Sequence, residues 1–178
     1  MDLVEAARNG READLLRLFD EHHAPLFRFA FRLTGSVSDA EDVVQECFLG
    51  LLRPQSSYDP ARAPLRTYLF GVVRNLSLKL RMARGPDCDS DFVAQSDPSQ
   101  ESHLLQVELA ETVSLAISQL PEGQREVLLL AHYEYLSLAE IASVLEVEVT
   151  TVKSRLQRAR AQLKLTLSNH AQGAERRR

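Results

Sequence analysis

Apolar residues recur at helical spacing along most of the chain, and the clearest run lies near its C-terminal end. Ile141, Ala142 and Leu145 make one apolar face; Val152, Leu156, Ala159 and Leu163 make a second. The intervening EVEVT, Glu146 to Thr150, is too short for a third element. The pattern predicts two short helices joined by a tight turn, the helix-turn-helix arrangement. Ala142 is the small residue expected where the helices cross, and Val152 the residue that buries the second helix on the first. An ordinary helical hairpin has the same apolar spacing, so periodicity alone does not separate the two.

The outer face of the second helix does. At about 100° per residue, Thr150, Ser154, Gln157, Arg158 and Ala161 lie opposite the apolar stripe, with Thr151 and Lys153 on its flanks. No carboxylate occurs from Val149 to Asn169, whereas a solvated helix normally mixes both signs. Small residues allow close approach to a major groove, and Arg or Gln can reach base edges. The face points to DNA binding.

Earlier in the chain, DLLRLFDEHHAPLFRFAFRLTG places Leu15, Leu18, Phe19, Leu26, Phe27, Ala30, Phe31 and Leu33 at helical spacing. Pro25 fits the first turn of a helix, and Gly35 its end. His22 and His23 are adjacent and cannot share one helical face, so a surface or junction role is expected for them rather than a metal site. In SVSDAEDVVQECFLGLL, Ser38 is the expected N-cap, with Glu41 three residues on completing a capping box. Asp39, Glu41, Asp42 and Glu46 cluster within two turns, either as a solvated face or as a docking patch for a basic partner. A proline-containing loop then precedes a helix from about Leu65 to Met82. Leu69, Val72, Val73, Leu76 and Leu80 can face its core, leaving Arg66, Arg74, Asn75, Lys79 and Arg81 outside. Tyr58, Tyr68 and Phe70 lie close to these cations, a combination suited to single-stranded nucleic acid, although each aromatic taken singly is expected to pack.

Helix formers dominate and no alternating β-branched runs occur, so the fold expected is all-α. The 178 residues suffice for one large or two small domains, and composition divides them into 1–84 and 105–170, separated by a flexible acidic linker at 85–104 and followed by a basic tail at 171–178. No apolar run approaches the ~18 residues of a membrane span, and no signal-peptide core is present, so a cytoplasmic protein is expected. Cys47 sits in an apolar helical run and reads as core; Cys88 lies in the linker, and the two suggest neither a disulfide nor a zinc site. The net charge of −4 hides two basic blocks around an acidic one. Arg62 to Arg84 carries six Lys/Arg and no acid, Gly85 to Glu111 seven acids and no Lys/Arg, and Thr150 onward eight Lys/Arg against one Glu. Nucleic acid responds to that local field rather than to the total.

Together, LFRFAFRLTGSVSDAEDVVQECFL, LRTYLFGVVRNL, LPEGQREVLLLAHYEYLSLAEIA and TTVKSRLQRARAQL, in this order, resemble the group IV (extracytoplasmic-function, ECF) members of the bacterial sigma-70 family. The resemblance implies a factor without catalysis or cofactor of its own. Its first domain would bind the β′ clamp helices of core RNA polymerase and open the −10 element. Its second would bind the β-flap and read the −35 element, and the acidic linker would lie in the RNA-exit path. Carried over by motif position, the polymerase-binding patch falls on Asp39, Glu41, Asp42, Gln45 and Glu46. The −10 contacts fall on the loop after Tyr58 and on Arg66, Thr67, Tyr68, Arg74, Asn75 and Lys79. The −35 contacts fall on Thr151, Lys153, Ser154, Gln157 and Arg158. Inhibitory anti-sigma partners are frequent in the family. The sequence departs from the family pattern at Tyr68, where Trp is common, at Gly71, often Arg, and in the turn at Glu146, Glu148 and Thr150, where relatives carry Gly or Asp, Pro and Gly. A stand-alone helix-turn-helix regulator would explain the second domain but leave the first without work. A nuclease would need a constellation that the carboxylates of one helix do not make.

Overall fold

A computed structural model describes residues 3–8, 11–84 and 112–175. The linker expected at 85–104, Cys88 within it, and residues 176–178 of the expected tail lie outside them. The described residues contain eight helices and no strand: α1 (Leu3–Arg8), α2 (Glu12–Thr34), α3 (Val37–Leu52), α4 (Leu65–Arg84), α5 (residues 112–118), α6 (Glu122–His132), α7 (Leu138–Leu145) and α8 (Val149–Glu175). The all-α expectation holds. None of these helices is long and apolar enough to cross a membrane.

In the N-terminal unit, α2 packs against α1, α3 and α4, and α3 packs on α4. Leu18, Leu26, Phe29, Ala30 and Leu33 of α2 are buried with Val43, Val44, Cys47 and Leu51 of α3 and Leu69, Phe70 and Val73 of α4. Phe29 and Phe70 meet edge to face at 5.3 Å, the arrangement their ring quadrupoles favour. Cys47 is core as expected, and burial pushes its thiol up to about 12. The C-terminal turn of α3 has no cation of its own. Arg8 of α1 supplies one, donating from Nε and Nη2 to the Leu51 carbonyl at 3.0 and 2.8 Å.

Three sequence expectations need correction here. Pro25 does not open a helix: α2 runs unbroken through it. An interior proline costs about 3 kcal/mol, and the buried stripe of Leu18, His22, Leu26, Phe29 and Leu33 on both sides of it offsets that loss. His22 is not at the surface but on that stripe, 8 % exposed. Desolvation lowers its pKa; Glu21 acts in the opposite direction, while Arg66 adds to the lowering. The N-cap of α3 is Ser36 rather than Ser38; its Oγ accepts from the Asp39 N–H at 3.3 Å. The preceding helix ends at Gly35, whose φ of 71° is left-handed and whose N–H bonds to the Phe31 carbonyl at 2.7 Å.

In the C-terminal unit, α6 packs on α8. Val127, Leu129 and Leu130 of α6 and Val152, Leu156 and Ala159 of α8 are buried. Ile141, Ala142 and Leu145 of α7 are buried too, as the sequence pattern predicts, whereas Leu163 at the far end of the second apolar face is half-buried. Ser137 and Glu140 form a capping box at the start of α7: Glu140 Oε2 accepts from the Ser137 N–H at 2.8 Å, and Ser137 Oγ accepts from the Glu140 N–H at 3.2 Å.

The turn between α7 and α8 is built without glycine. Val147 N–H reaches back to the Ala142 carbonyl at 3.0 Å, and Glu146, with φ of 54°, takes the left-handed position. A β-carbon there costs about 1–2 kcal/mol, of which the greater chain entropy of glycine returns about half. Glu146→Gly is therefore expected to stabilise the chain by about 0.5–1 kcal/mol, and Glu146→Val to destabilise it, both measured by denaturant unfolding. A loss of stability in Glu146→Gly would mean that the Glu146 side chain holds the turn.

Candidate polymerase-docking and promoter-binding surfaces

The acidic cluster on α3 divides in two. Glu41, Asp42, Gln45 and Glu46 are exposed and share one side of the helix at intervals of three and four residues. Glu46 also pairs with Arg53 at 3.1 Å, between exposed groups, a contact of small energetic weight. Asp39 is elsewhere. It is 4 % exposed, and its two carboxylate oxygens accept from Nη1 and Nη2 of Arg84, the last residue of α4. The carboxylate thus ties the N-terminus of α3 to the C-terminus of α4. Its register could have shown this, because Asp39, Val43, Cys47 and Leu51 follow one another at intervals of four along the buried side.

On α4 the residues expected at the −10 element are also split. Thr67 is 2 % exposed and belongs to the interior, in register with the buried Phe70 and Ser77. Arg66 is half-buried, its guanidinium 5.4 Å from the centre of the Phe70 ring. Phe70 itself is fully buried, so its ring packs rather than stacks on a base. Tyr68 remains at the surface, half-buried, with its ring 5.2 Å from that of Tyr58 and its hydroxyl 3.3 Å from Ser57 Oγ. The following loop is folded over Asp59, whose Oδ1 accepts from the Ala61 N–H at 2.9 Å and whose carbonyl accepts from the Arg62 N–H at 3.0 Å. Arg74 reaches Asn75 Oδ1 at 3.5 Å. Asn75 and Lys79 are exposed. A pair of tyrosines beside exposed polar and cationic groups therefore forms one surface.

On α8, Lys153, Gln157 and Arg158 are exposed, while Thr151 and Ser154 are half-buried. Ser154 donates its hydroxyl to the Thr151 carbonyl at 3.0 Å, so its side chain is turned onto the helix. The two cations at the stripe's edges differ. Arg155 is half-buried, and its guanidinium lies over Gly123 in the first turn of α6, where a β-carbon would come within 3.1 Å of Cζ. Arg160 is exposed and donates from Nε to Nε2 of His132 at 3.3 Å. Neither arrangement was evident from periodicity, because both partners lie on α6.

Two family models match the chain in order: Sigma-70 region 2 over residues 18–85 and Sigma-70, region 4 over residues 110–163. The ECF RNA polymerase sigma factor SigL of Mycobacterium tuberculosis is 40% identical over 164 residues, which are 88% of this chain and 90% of that protein. Among solved structures, CnrH in complex with the cytosolic domain of CnrY is similar with a TM-score of 0.69 and 26% identity, covering 94% of this chain and 96% of that one. The sigma factor RpoE in complex with the anti-sigma factor NepR, from Bartonella quintana, is similar with a TM-score of 0.67 and 27% identity, covering 88% and 96%. With both regions matched in order and a relative 40% identical along most of its length, the chain belongs to the ECF group of the sigma-70 family.

Proposed function

We propose that this chain binds core RNA polymerase and directs it to promoters, with no catalysis of its own, acting in the cytoplasm. The observation that carries this is opposite charge on exposed helix faces. The acidic stripe of Glu41, Asp42, Gln45 and Glu46 suits the β′ clamp helices. The carboxylate-free face of α8 suits the −35 duplex, with Lys153, Gln157 and Arg158 outward and Thr151 at its edge. Tyr68, Arg74, Asn75 and Lys79, with the loop after Tyr58, suit the −10 strand, where bases stack and phosphates are neutralised. Residues 1–84 and 105–170 act as the two DNA- and polymerase-binding domains, the second also meeting the β-flap. Two of the similar solved structures are complexes with another protein, one of them a sigma factor with an anti-sigma factor, which supports an anti-sigma partner for this chain as well.

Holoenzyme assembled from purified core enzyme, titrated against a library of −35 variants, tests this. Arg158 lies on the outer face, where a direct base contact is worth about 1–3 kcal/mol of discrimination. Arg158→Ala is expected to relax preference at one or two −35 positions. A uniform loss across the library would place Arg158 on phosphate instead. Sequence-specific duplex binding by the chain alone, unaltered by core enzyme, would favour a stand-alone regulator.

A further inference from the structure

We infer that Lys153, Gln157 and Arg160 form a backbone-phosphate site beside the base-reading face of α8, and that His132 of α6 is the positioning residue that presents Arg160 to it. The site deepens the promoter-binding role of α8 and rests on it.

These three side chains, at intervals of four and three, occupy one flank of α8. With Leu138 at the start of α7 and the buried Leu156, they line a cleft of about 250 Å³. No carboxylate lines it. Neither Lys153 nor Arg160 has an acidic partner among the described residues, so two uncompensated cations and one amide donor border an apolar floor. Such a rim fits a phosphodiester oxygen, which takes charge and hydrogen bonds but offers no apolar surface. Arg160 lies two residues from Arg158, hence about 160° away around the helix, and cannot share its groove-facing direction.

The partner of Arg160 is what distinguishes this cation. Nε and Nη2 approach His132 Nε2 at 3.3 and 3.2 Å. That nitrogen accepts only in the neutral ring, with the proton on Nδ1. A carboxylate in the same place would orient the guanidinium and also neutralise it. A neutral imidazole orients it and leaves the full positive charge for a ligand. Fixing the long side chain beforehand removes part of the entropy otherwise lost on binding.

The probe is promoter duplex, titrated with holoenzyme at several salt concentrations. Arg160→Ala is expected to lower affinity evenly across −35 variants and to reduce the slope of log Kobs against log salt by about one. His132→Ala is expected to weaken binding evenly, about threefold to tenfold, with a melting temperature close to wild type. His132→Gln, which keeps an acceptor, restores most of it. The double variant His132→Ala/Arg160→Ala should bind no worse than Arg160→Ala. An unchanged salt slope in Arg160→Ala would overturn the phosphate site. Wild-type binding by His132→Ala, or additive losses in the double variant, would overturn the positioning role. Absence of promoter binding by the wild-type holoenzyme would instead overturn the promoter-binding role of α8, and it is read before any variant is made.

Discussion

Asp39→Ala is expected to destabilise the N-terminal unit by about 2–3 kcal/mol, the first of two effects that the acidic helix α3 separates. Removing one partner of a fully buried ion pair costs about 3–5 kcal/mol. The Asp39 side chain is 5 % exposed but that of Arg84 is 47 % exposed, so water screens one end and the cost falls below that range. The lost carboxylate also leaves the first turn of α3, where a negative charge is favourable. A fall in melting temperature of roughly 10 °C follows for a unit of this size. Arg84→Ala should lower stability in the same direction, since it leaves Asp39 buried without its cation. The double replacement should cost less than the sum of the singles. Additive losses would show that the two groups do not depend on each other.

The second effect is on assembly rather than folding. Asp42→Lys combined with Glu46→Lys is expected to lower affinity for core polymerase by about 100-fold or more, because like charges brought together across an interface cost several kcal/mol. Both residues are exposed, and Glu46 gives up only its exposed contact with Arg53, so the circular dichroism spectrum and the melting temperature should remain close to wild type. The contrast with Asp39 is the informative part. A variant at 39 should lose stability while its folded fraction still binds, whereas the variant at 42 and 46 should stay folded and fail to bind. Undiminished core affinity in the double reversal would remove the docking role from this face.

The sequence made these two classes of acid look alike for a physical reason. All four carboxylates sit within two turns, and composition distinguishes none of them; what separates Asp39 is its step of four to Val43, Cys47 and Leu51 and a partner 45 residues away. The same register places Thr67 with Phe70 and Ser77, and His22 with Leu18, Leu26 and Phe29. In each case a polar residue on a buried stripe was read by its chemistry when its angle decided its position. Ser36 and Ser38 offer overlapping caps, each with an acid three residues on; Ser36 takes the role, its Oγ accepting from the Asp39 N–H at 3.3 Å. Pro25 shows local propensity overruled by packing on both sides.

Much else was legible. The apolar faces of α7 and α8 were correctly read, because both are strongly periodic and bounded by a short turn. Of the residues expected on the outer face of α8, Thr150, Gln157, Arg158 and Ala161 are exposed, as the geometry of a face opposite a buried stripe requires, while Ser154 is half-buried. What periodicity could not supply was the contribution of α6. Gly123 receives Arg155, and His132 receives Arg160. Two arginines that looked equivalent at the edges of one stripe thereby differ, one half-buried against a neighbouring helix and the other held at the rim of a cleft.

The most direct test of promoter direction is reconstituted transcription: purified core enzyme, the full chain and a genomic-fragment library, with 5′ ends of the products mapped. The expected result is a discrete set of start sites absent with core enzyme alone, preceded by shared −10 and −35 sequences and lost with Asp42→Lys/Glu46→Lys. Start sites no different from those of core enzyme alone, under conditions where a known sigma factor programmes the same enzyme preparation, would contradict it.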